Sequence, residues 1–407
     1  MASCYAAILH ALARRDGLVK ILLFDWVSRG HRHVYIRALA TALRGHDVIA
    51  AVPDDLAGQL DGLPVELVTL GDARPALDER RHLSAAKRSA TRAELELFRT
   101  VIAAARPNRV LHLYGDRVLS DLVREPPFPT PISLLFFRPR AHYYRNFGSR
   151  LSPRERFISL LFEGLLSRWR KRRDARSVAT PDEVAAARWQ TKPGAPAWWL
   201  PEPPVETDAL AEPCIREGAV VVGALAARKG IDRVARAAVL NPGVRIVLAG
   251  SVQPRYAATF QESVDKMRMA GVDVEVRDRW FESEAELVAE LRKARCALLP
   301  YPRHVGMSRV LLDAAAVGTP VVADHWGLLG HLVRTYGLGL TCESNDPEAF
   351  ATAIAQLSHK GADRAFSRGL ADFAGRYTLA RFADAVSALL DVPLSTAGPA
   401  SSEPNQP

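Results

Sequence analysis

Between Cys296 and Gly330 the chain reads CALLPYPRHVGMSRVLLDAAAVGTPVVADHWGLLG, and no other stretch limits the fold as much. The short apolar run Cys296 to Leu299 ends at Pro300-Tyr301-Pro302. Two prolines so close neither continue a sheet ladder nor sit deep in a helix, so a strand gives way to a loop. Ser308 then opens an apolar-periodic run, Val310, Leu311, Leu312, Ala314, Ala315 and Ala316, which Gly318 stops. After Pro320 a second strand follows, Val321 to Ala323, and then a loop through Gly330. The helix start therefore faces the carboxyl end of the preceding strand, where open α/β sheets bind ligands. Backbone N–H groups of Gly306, Met307 and Ser308, added to the helix dipole, would suit a phosphate there. An ordinary strand–helix–strand unit with a serine N-cap accounts for the same residues.

The pattern recurs along the chain. Lys20 to Asp25, KILLFD, reads as a buried parallel-type strand, followed by Trp26 to His33, a helix through Tyr35, Ile36, Leu39, Ala40 and Leu43, and a strand from Val48 to Val52. This unit has one glycine at its strand–helix turn, Gly30, and not the three of a dinucleotide fingerprint, which argues against a nicotinamide cofactor. Gly30 would let a ligand approach the backbone, or is a plain turn glycine. Further strands are expected at Val65 to Leu70, Arg109 to Leu113, Ile132 to Phe137 and Ser177 to Ala179, with a long polar helix from Leu83 to Ala105. Polar residues gather just past two of these strands, at Tyr114-Gly115-Asp116 and at Arg138 to Tyr144, which makes His142 a candidate ligand contact. Residues 193–213 hold Pro193, Pro196, Pro201, Pro203, Pro204 and Pro213, and read as an interdomain linker. The βα pattern then restarts with the strand Val220 to Gly223, a turn through Arg228-Lys229-Gly230, and a helix through Ala238. Strands at Val244 to Ala249 and Val272 to Val276 follow, then Arg279-Trp280-Phe281, a helix ending near Arg292, and the Cys296–Gly330 stretch. Helices close the chain at Glu348 to Leu357, Phe366 to Tyr377 and Leu379 to Leu390.

The expected fold is α/β: two doubly wound Rossmann-like domains in series, with a ligand cleft between their strand-end faces. Residues 1–17 are expected to be a frayed start and 18–192 the first domain. After the linker, 214–378 form the second domain. A helix over 379–392 packs back on the first, and 393–407 are a disordered Ser/Pro/Asn-rich tail.

Composition removes several function classes. A chain of 407 residues with 48% hydrophobic and 24% charged content is a soluble globular type. The formal charge of +9 fits a polyanionic ligand, an anionic membrane surface or nucleic acid. No basic–aromatic recognition module is visible, so nucleic acid is discounted as a partner. Cys4, Cys214, Cys296 and Cys342 are scattered without a C-x-x-C pair, the expectation being a reducing cytoplasm and no structural zinc. No apolar run reaches the roughly 18–20 residues needed to span a bilayer. Arg14 and Arg15 follow the first apolar run, whereas a signal peptide carries its charge before it. Arg154 to Asp174 reads as an amphipathic helix, with Phe157, Leu160, Leu161, Leu165 and Trp169 near one stripe and a basic end at Arg168 and 170–173. It either docks peripherally on the anionic inner face of a membrane or packs on the core with its dipole complemented by arginines.

The segments VVVGALAARKGID, VRIVLAG and RVLLDAAAVGTPVVADHWG resemble the retaining, nucleotide-sugar-dependent glycosyltransferases of the GT-B fold, family four, often called the glycosyltransferase group 1 family. The likeness covers roughly residues 18–392 and is strongest in the second half. It implies transfer of a sugar from a nucleoside diphosphate sugar to an acceptor with retention, without a metal or other cofactor. Lys229 matches the lysine that grips the donor diphosphate, with Arg228 beside it. Asp313 stands where the family has the second glutamate of its E-x7-E element, a ribose ligand. Gly306, Met307 and Ser308 match the amides that hold the distal phosphate, and Gly30 the first-domain glycine facing it. Gly223 belongs to the donor turn, and Arg279, Trp280 and Phe281 lie where the nucleobase rests. There are three departures. Val305 replaces the first glutamate, with His304 as the adjacent substitute. Ala224 replaces the arginine that pairs with the lysine, for which Arg228 or Arg309 could compensate. The first-domain histidine is replaced around Phe137-Arg138, leaving His142 or Arg138 near the acceptor. The departures keep a second reading open: a non-catalytic scaffold that binds a nucleotide sugar or a partner protein.

Overall fold

The computed structural model describes residues 19–27, 32–71, 85–139, 143, 152–205 and 214–393. The expectations for 1–17, Gly30, His142 and the tail beyond Pro393 lie outside them. The chain divides into two units. One comprises Met1–Ala141, Phe157–Pro203 and Thr378–Pro407; the other comprises His142–Arg156 and Pro204–Tyr377.

The first unit is built on seven strands: β1 Lys20–Phe24, β2 Asp47–Val52, β3 Glu66–Thr69, β4 Arg109–His112, β5 Ile132–Leu135, β6 Ala175–Thr180 and β7 Ala197–Trp199. They pair in parallel in the order β3-β2-β1-β4-β5-β6-β7. The chain thus winds outward from β1 through β2 to β3 and resumes on the other side of β1 at β4, so β1 and β4 flank the topological switch point. In β1, Leu22 and Phe24 face one core and Ile21 and Leu23 the other. Both faces are covered, which is why the strand reads as an unbroken apolar run.

The helix Leu379–Leu390 belongs to this unit and covers one face of the sheet. Phe382, Val386, Leu389 and Leu390 are fully buried beside Tyr35, Ile36 and Leu39 of the helix Arg32–Ala42. Its last carbonyls, which no helical N–H can reach, are taken by the sheet. Leu389 O accepts from Ser133 Oγ at 3.2 Å and Ser177 Oγ at 2.6 Å, and Leu390 O accepts from Arg109 Nε at 2.8 Å.

The second unit carries β8 Ala219–Val222, β9 Ile246–Ala249, β10 Val274–Arg277, β11 Cys296–Leu299, β12 Val321–Asp324 and β13 Gly339–Cys342. Their order is β10-β9-β8-β11-β12-β13, all parallel, with the switch point between β8 and β11.

Four expectations need correction. Part of the stretch read as linker is a strand: β7 pairs with β6, Val178 N donates to Pro196 O at 2.9 Å, and Leu200 is fully buried. Proline is tolerated there because β7 is an edge strand. The loop expected through Gly330 is already helical from Gly327, since the helix Gly327–Tyr336 follows β12 almost at once, and β13 had not been foreseen. The helix expected from Phe366 to Tyr377 spans only Ser367–Ala374. The stripe expected on the helix Pro153–Arg170 splits: Trp169 is buried and Leu165 half-buried, but Phe157, Leu160 and Leu161 face outward.

Phe382→Ala should lower the stability of the first unit by roughly 3–5 kcal/mol, the usual cost of emptying a fully buried aromatic site. Urea unfolding followed by circular dichroism measures it; an unchanged midpoint would mean that the helix does not contribute to this core.

Candidate functional site

In the second unit the candidate residues gather at the carboxyl ends of β8 and β11. β8 runs into Gly223, and a 3-10 turn, Ala227–Lys229, leads through Gly230 to the helix Ile231–Ala238. Gly230 has φ +66°, and a Cβ placed on it would lie 2.5 Å from Pro300 O. Only glycine allows this approach, and it sets Lys229 beside the residue after Pro300. Lys229 is 2% exposed. Its Nζ donates to Tyr301 Oη at 2.7 Å and stands 4.6 Å from the centre of the Tyr301 ring. A Cβ added to Gly223 would lie 3.6 Å from the same Nζ. Burial holds the Lys229 amine well below its ordinary pKa; Arg228 pushes the same way and Asp313 opposes. Burial also raises the Tyr301 phenol, with Arg228 and then the Ser308 side chain opposing. Ser308 precedes the helix Arg309–Ala316 without capping it through its own side chain.

The surrounding turn differs from expectation in one respect. Gly306 N is not open for a phosphate, since it donates to Tyr143 Oη at 2.6 Å. Tyr143 is fully buried, its ring 5.7 Å from that of Trp326. His304 stands edge-on to Tyr301 at 5.5 Å. Met307 and Val305 are half-buried and Arg228 is exposed.

The carboxylate expected to face a ribose is engaged elsewhere. Asp313 is 3% exposed, and its Oδ1 accepts from Arg309 Nε at 2.8 Å, one helical turn away. Arg309, itself buried, also reaches Glu284 Oε2 at 3.1 Å and Pro204 O at 3.3 Å. Arg309 therefore neutralises Asp313 and is not a spare cation. Arg279 pairs with Glu286 and, at 3.6 Å, with Glu290, while Trp280 is 75% exposed and outside the core. Tyr301, Tyr143 and Glu284 had not been singled out. Tyr301 stood within Pro-Tyr-Pro beside the pivotal loop, but nothing in its neighbours pairs it with a lysine 72 residues earlier.

Arg138 belongs to the first unit, where Asp116 holds the end of β5. Asp116 Oδ2 accepts from Phe137 N at 2.7 Å, and its Oδ1 accepts from Arg138 N at 3.2 Å. The switch point of this sheet carries a buried charge cluster that sequence reasoning missed. Asp25, just past β1, accepts a salt bridge from Arg32 at 3.2 Å. Arg32 also donates to Leu113 O at 3.0 Å and lies over the rings of Tyr114 and Phe137, at 4.5 and 4.4 Å. Beneath them, His112 Nδ1 accepts from Tyr114 N at 3.2 Å, which places the ring proton on Nε2, 3.7 Å from Glu94 Oε1. Glu94 pairs on its other side with Arg117 at 3.1 Å. The rings of Phe24 and Phe98 keep His112 dry, at 5.2 and 5.0 Å. Burial pushes His112 down to about 3 and Glu94 up to about 7, in each case against formation of charge. Among the described residues no group of three or more His, Cys, Asp or Glu side chains is arranged to hold a metal ion. No described helix is long and apolar enough to cross a membrane.

Residues 216–360 match the family model described as Glycosyl transferases group 1. That span contains the whole lysine site. A D-inositol 3-phosphate glycosyltransferase of Mycolicibacterium gilvum is 31% identical over 166 residues, 40% of this chain and 37% of that protein. The chain thus matches less than half the length of this curated relative. Among solved structures, an alpha,alpha-trehalose-phosphate synthase (UDP-forming) from Burkholderia vietnamiensis superimposes with a TM-score of 0.66 at 15% identity, covering 92% of this chain and 99% of that one. Anabaena HepE in complex with UDP and glucose superimposes with a TM-score of 0.59 at 14% identity, covering 92% and 99%. At such identities the likeness is one of fold: two parallel-sheet, Rossmann-like units of GT-B type.

The buried cluster predicts a pH dependence. Glu94 is raised from 4.5 to about 7, so its contribution is fully present below pH 4.5 and is lost as pH rises through about 7. His112, lowered from 6.5 to about 3, acts oppositely, contributing above 6.5 and losing that as pH falls toward 3. Comparison with Glu94→Gln isolates the first effect: relative to the variant, the wild type should lose stability between pH 4.5 and about 7 and stay level above. Urea titrations across that window measure it, and a difference independent of pH would show that Glu94 titrates as it would in water.

Proposed function

We propose that the protein is a glycosyltransferase that moves a sugar from a nucleoside diphosphate sugar to an acceptor, with retention of configuration. One observation carries the proposal. A buried lysine, Lys229, stands at the strand-end switch point of the second sheet, inside the segment that matches the group 1 model, beside Gly223 and the Ser308 turn. Such a cation would suit a diphosphate. As the sugar–phosphate bond breaks, negative charge builds on the leaving diphosphate, and Lys229 with the exposed Arg228 would stabilise it. The departing phosphate can itself take the acceptor proton, so no pair of catalytic carboxylates of glycosidase type is needed. The reading calls for no resident metal or other cofactor. Because a structural neighbour was solved with UDP and glucose, uridine diphosphate sugars are the first donors to test. The acceptor would engage the first unit, near Arg138.

A second reading concerns partners. On the helix Pro153–Arg170, Phe157, Leu160 and Leu161 are 65%, 58% and 50% exposed. Arg154, Arg156, Arg168, Lys171 and Arg173 are exposed around them. Three large apolar side chains turned to solvent between basic ends suit the interface of an anionic bilayer.

For the donor, calorimetric titration with UDP, GDP and ADP and their sugars should give saturable binding for one base. Lys229→Met should weaken that binding by about 10- to 100-fold, the worth of a charge-assisted contact. Absence of binding to all of them would remove the proposal. Binding without hydrolysis or transfer would favour the non-catalytic scaffold that Val305 and Ala224 keep open. For the membrane, the protein should co-sediment with phosphatidylglycerol vesicles and not with phosphatidylcholine vesicles, and the triple change of Phe157, Leu160 and Leu161 to Ser should abolish this. Equal recovery in the supernatant with either lipid would refute the contact.

A further inference from the structure

We propose that Tyr301 is a positioning residue of the donor site, holding Lys229 at a fixed distance from the Ser308 turn. The inference rests on Lys229 being the diphosphate ligand. Lys229 Nζ donates to Tyr301 Oη at 2.7 Å and lies 4.6 Å from the ring centre, so one side chain offers it both a hydrogen-bond acceptor and a π face. The Ser308 side chain acts on the same phenol, opposing the rise that burial causes. The amine–phenol bond therefore links the turn after β8 to the loop that leads from β11 into the helix Arg309–Ala316. The backbone fixes both ends: Gly230 packs against Pro300 O on one side of the pair, and β11 is hydrogen-bonded between β8 and β12. Tyr301 is 2% exposed, and the charged groups that act on the pair are Arg228 and Asp313, the latter taken by Arg309. A long flexible amine in this position would otherwise swing or lose its proton. Tyr301 removes both freedoms before a diphosphate arrives, because ring and oxygen favour the ammonium over the amine that burial favours.

The test is the pH profile of nucleoside diphosphate binding, measured by calorimetry on the full chain with UDP, GDP and ADP. In the wild type, affinity should fall as pH rises through the titration of Lys229. Tyr301→Phe keeps the ring and removes the oxygen. It should weaken binding about tenfold at neutral pH and move the fall to lower pH, with the melting temperature of the free protein little changed. Tyr301→Leu, which removes the ring as well, should weaken it further. Should Tyr301→Phe fail to fold, Ser308→Ala removes the side chain that acts on the phenol from the start of the helix, and should shift the profile in the same direction. Wild-type affinity and an unshifted profile in Tyr301→Phe, or in Ser308→Ala where that variant stands in, would overturn the positioning role while leaving the donor proposal intact. If the wild type itself bound none of the three diphosphates, the donor proposal would fail and this inference with it.

Discussion

An ammonium withdrawn from water loses its hydration, and a fold that buries one must supply other partners or let it discharge. Lys229 meets that demand with a single tyrosine, and much of the second unit follows from it. The 3-10 turn brings the lysine back over the end of β8. Gly230 is required where the turn grazes Pro300 O, and β11 must end on a proline-bounded loop for Tyr301 to turn inward. Asp313 helps from a distance, but its own carboxylate is satisfied by Arg309, so among the described residues Lys229 keeps no full counterion of its own. A buried cation in that condition is a poor stability device and a good receptor for an incoming anion, whose charge completes what the protein leaves incomplete.

The first sheet has the same winding and a switch point in the corresponding place, yet it carries different chemistry. Between β1 and β4 stand Asp25, Arg32, Glu94, His112 and Arg117, all largely shielded. Two of these groups are pushed against charging, and their opposed directions mean that proton uptake by one and release by the other nearly offset over the mid-acid range. Arg32 opens the helix after β1, and its guanidinium is clamped between Tyr114 and Phe137. The cluster thus ties the end of β1 to the start of that helix, which suits a supporting role at the carboxyl end of the sheet more than a direct chemical one.

What the residues revealed on their own follows from the range of the forces involved. Strands such as KILLF and AVVV were readable because burial on both faces demands unbroken apolar runs, and their helices because periodicity is local. β7 was obscured by Pro196 and Pro201, which punctuate an edge strand as readily as a linker. β13, GLTC, is only half-buried and too short to stand out from its loop. Lys229, Gly223 and Ser308 were legible as candidates through their motif, but their partners were not. Tyr301 meets Lys229 across 72 residues, Tyr143 meets Gly306 across 163, and Glu94 reaches His112 from a helix that reads as polar. Such pairs are set by sheet order and register, which no local spacing encodes. The C-terminal helix shows the same division: its amphipathic pattern is plain, whereas the capping of Leu389 O by Ser133 and Ser177 follows only from the fold.

The departures from the family pattern become more coherent once the side chains are placed. Val305 and Ala224 bring no charge to the turn, and the guanidinium of Arg309 pairs with Asp313 and Glu284. Asp313 and Glu284 are thus neutralised by Arg309, while Lys229 stays buried against Tyr301. For a dianionic diphosphate that balance is favourable. For a neutral sugar ring the half-buried Val305 side chain offers no acceptor for a hydroxyl group, and the imidazole of His304 is packed edge-on to Tyr301. Donor affinity in such a site would come from the nucleotide and its phosphates, while selectivity among sugars would rest on shape.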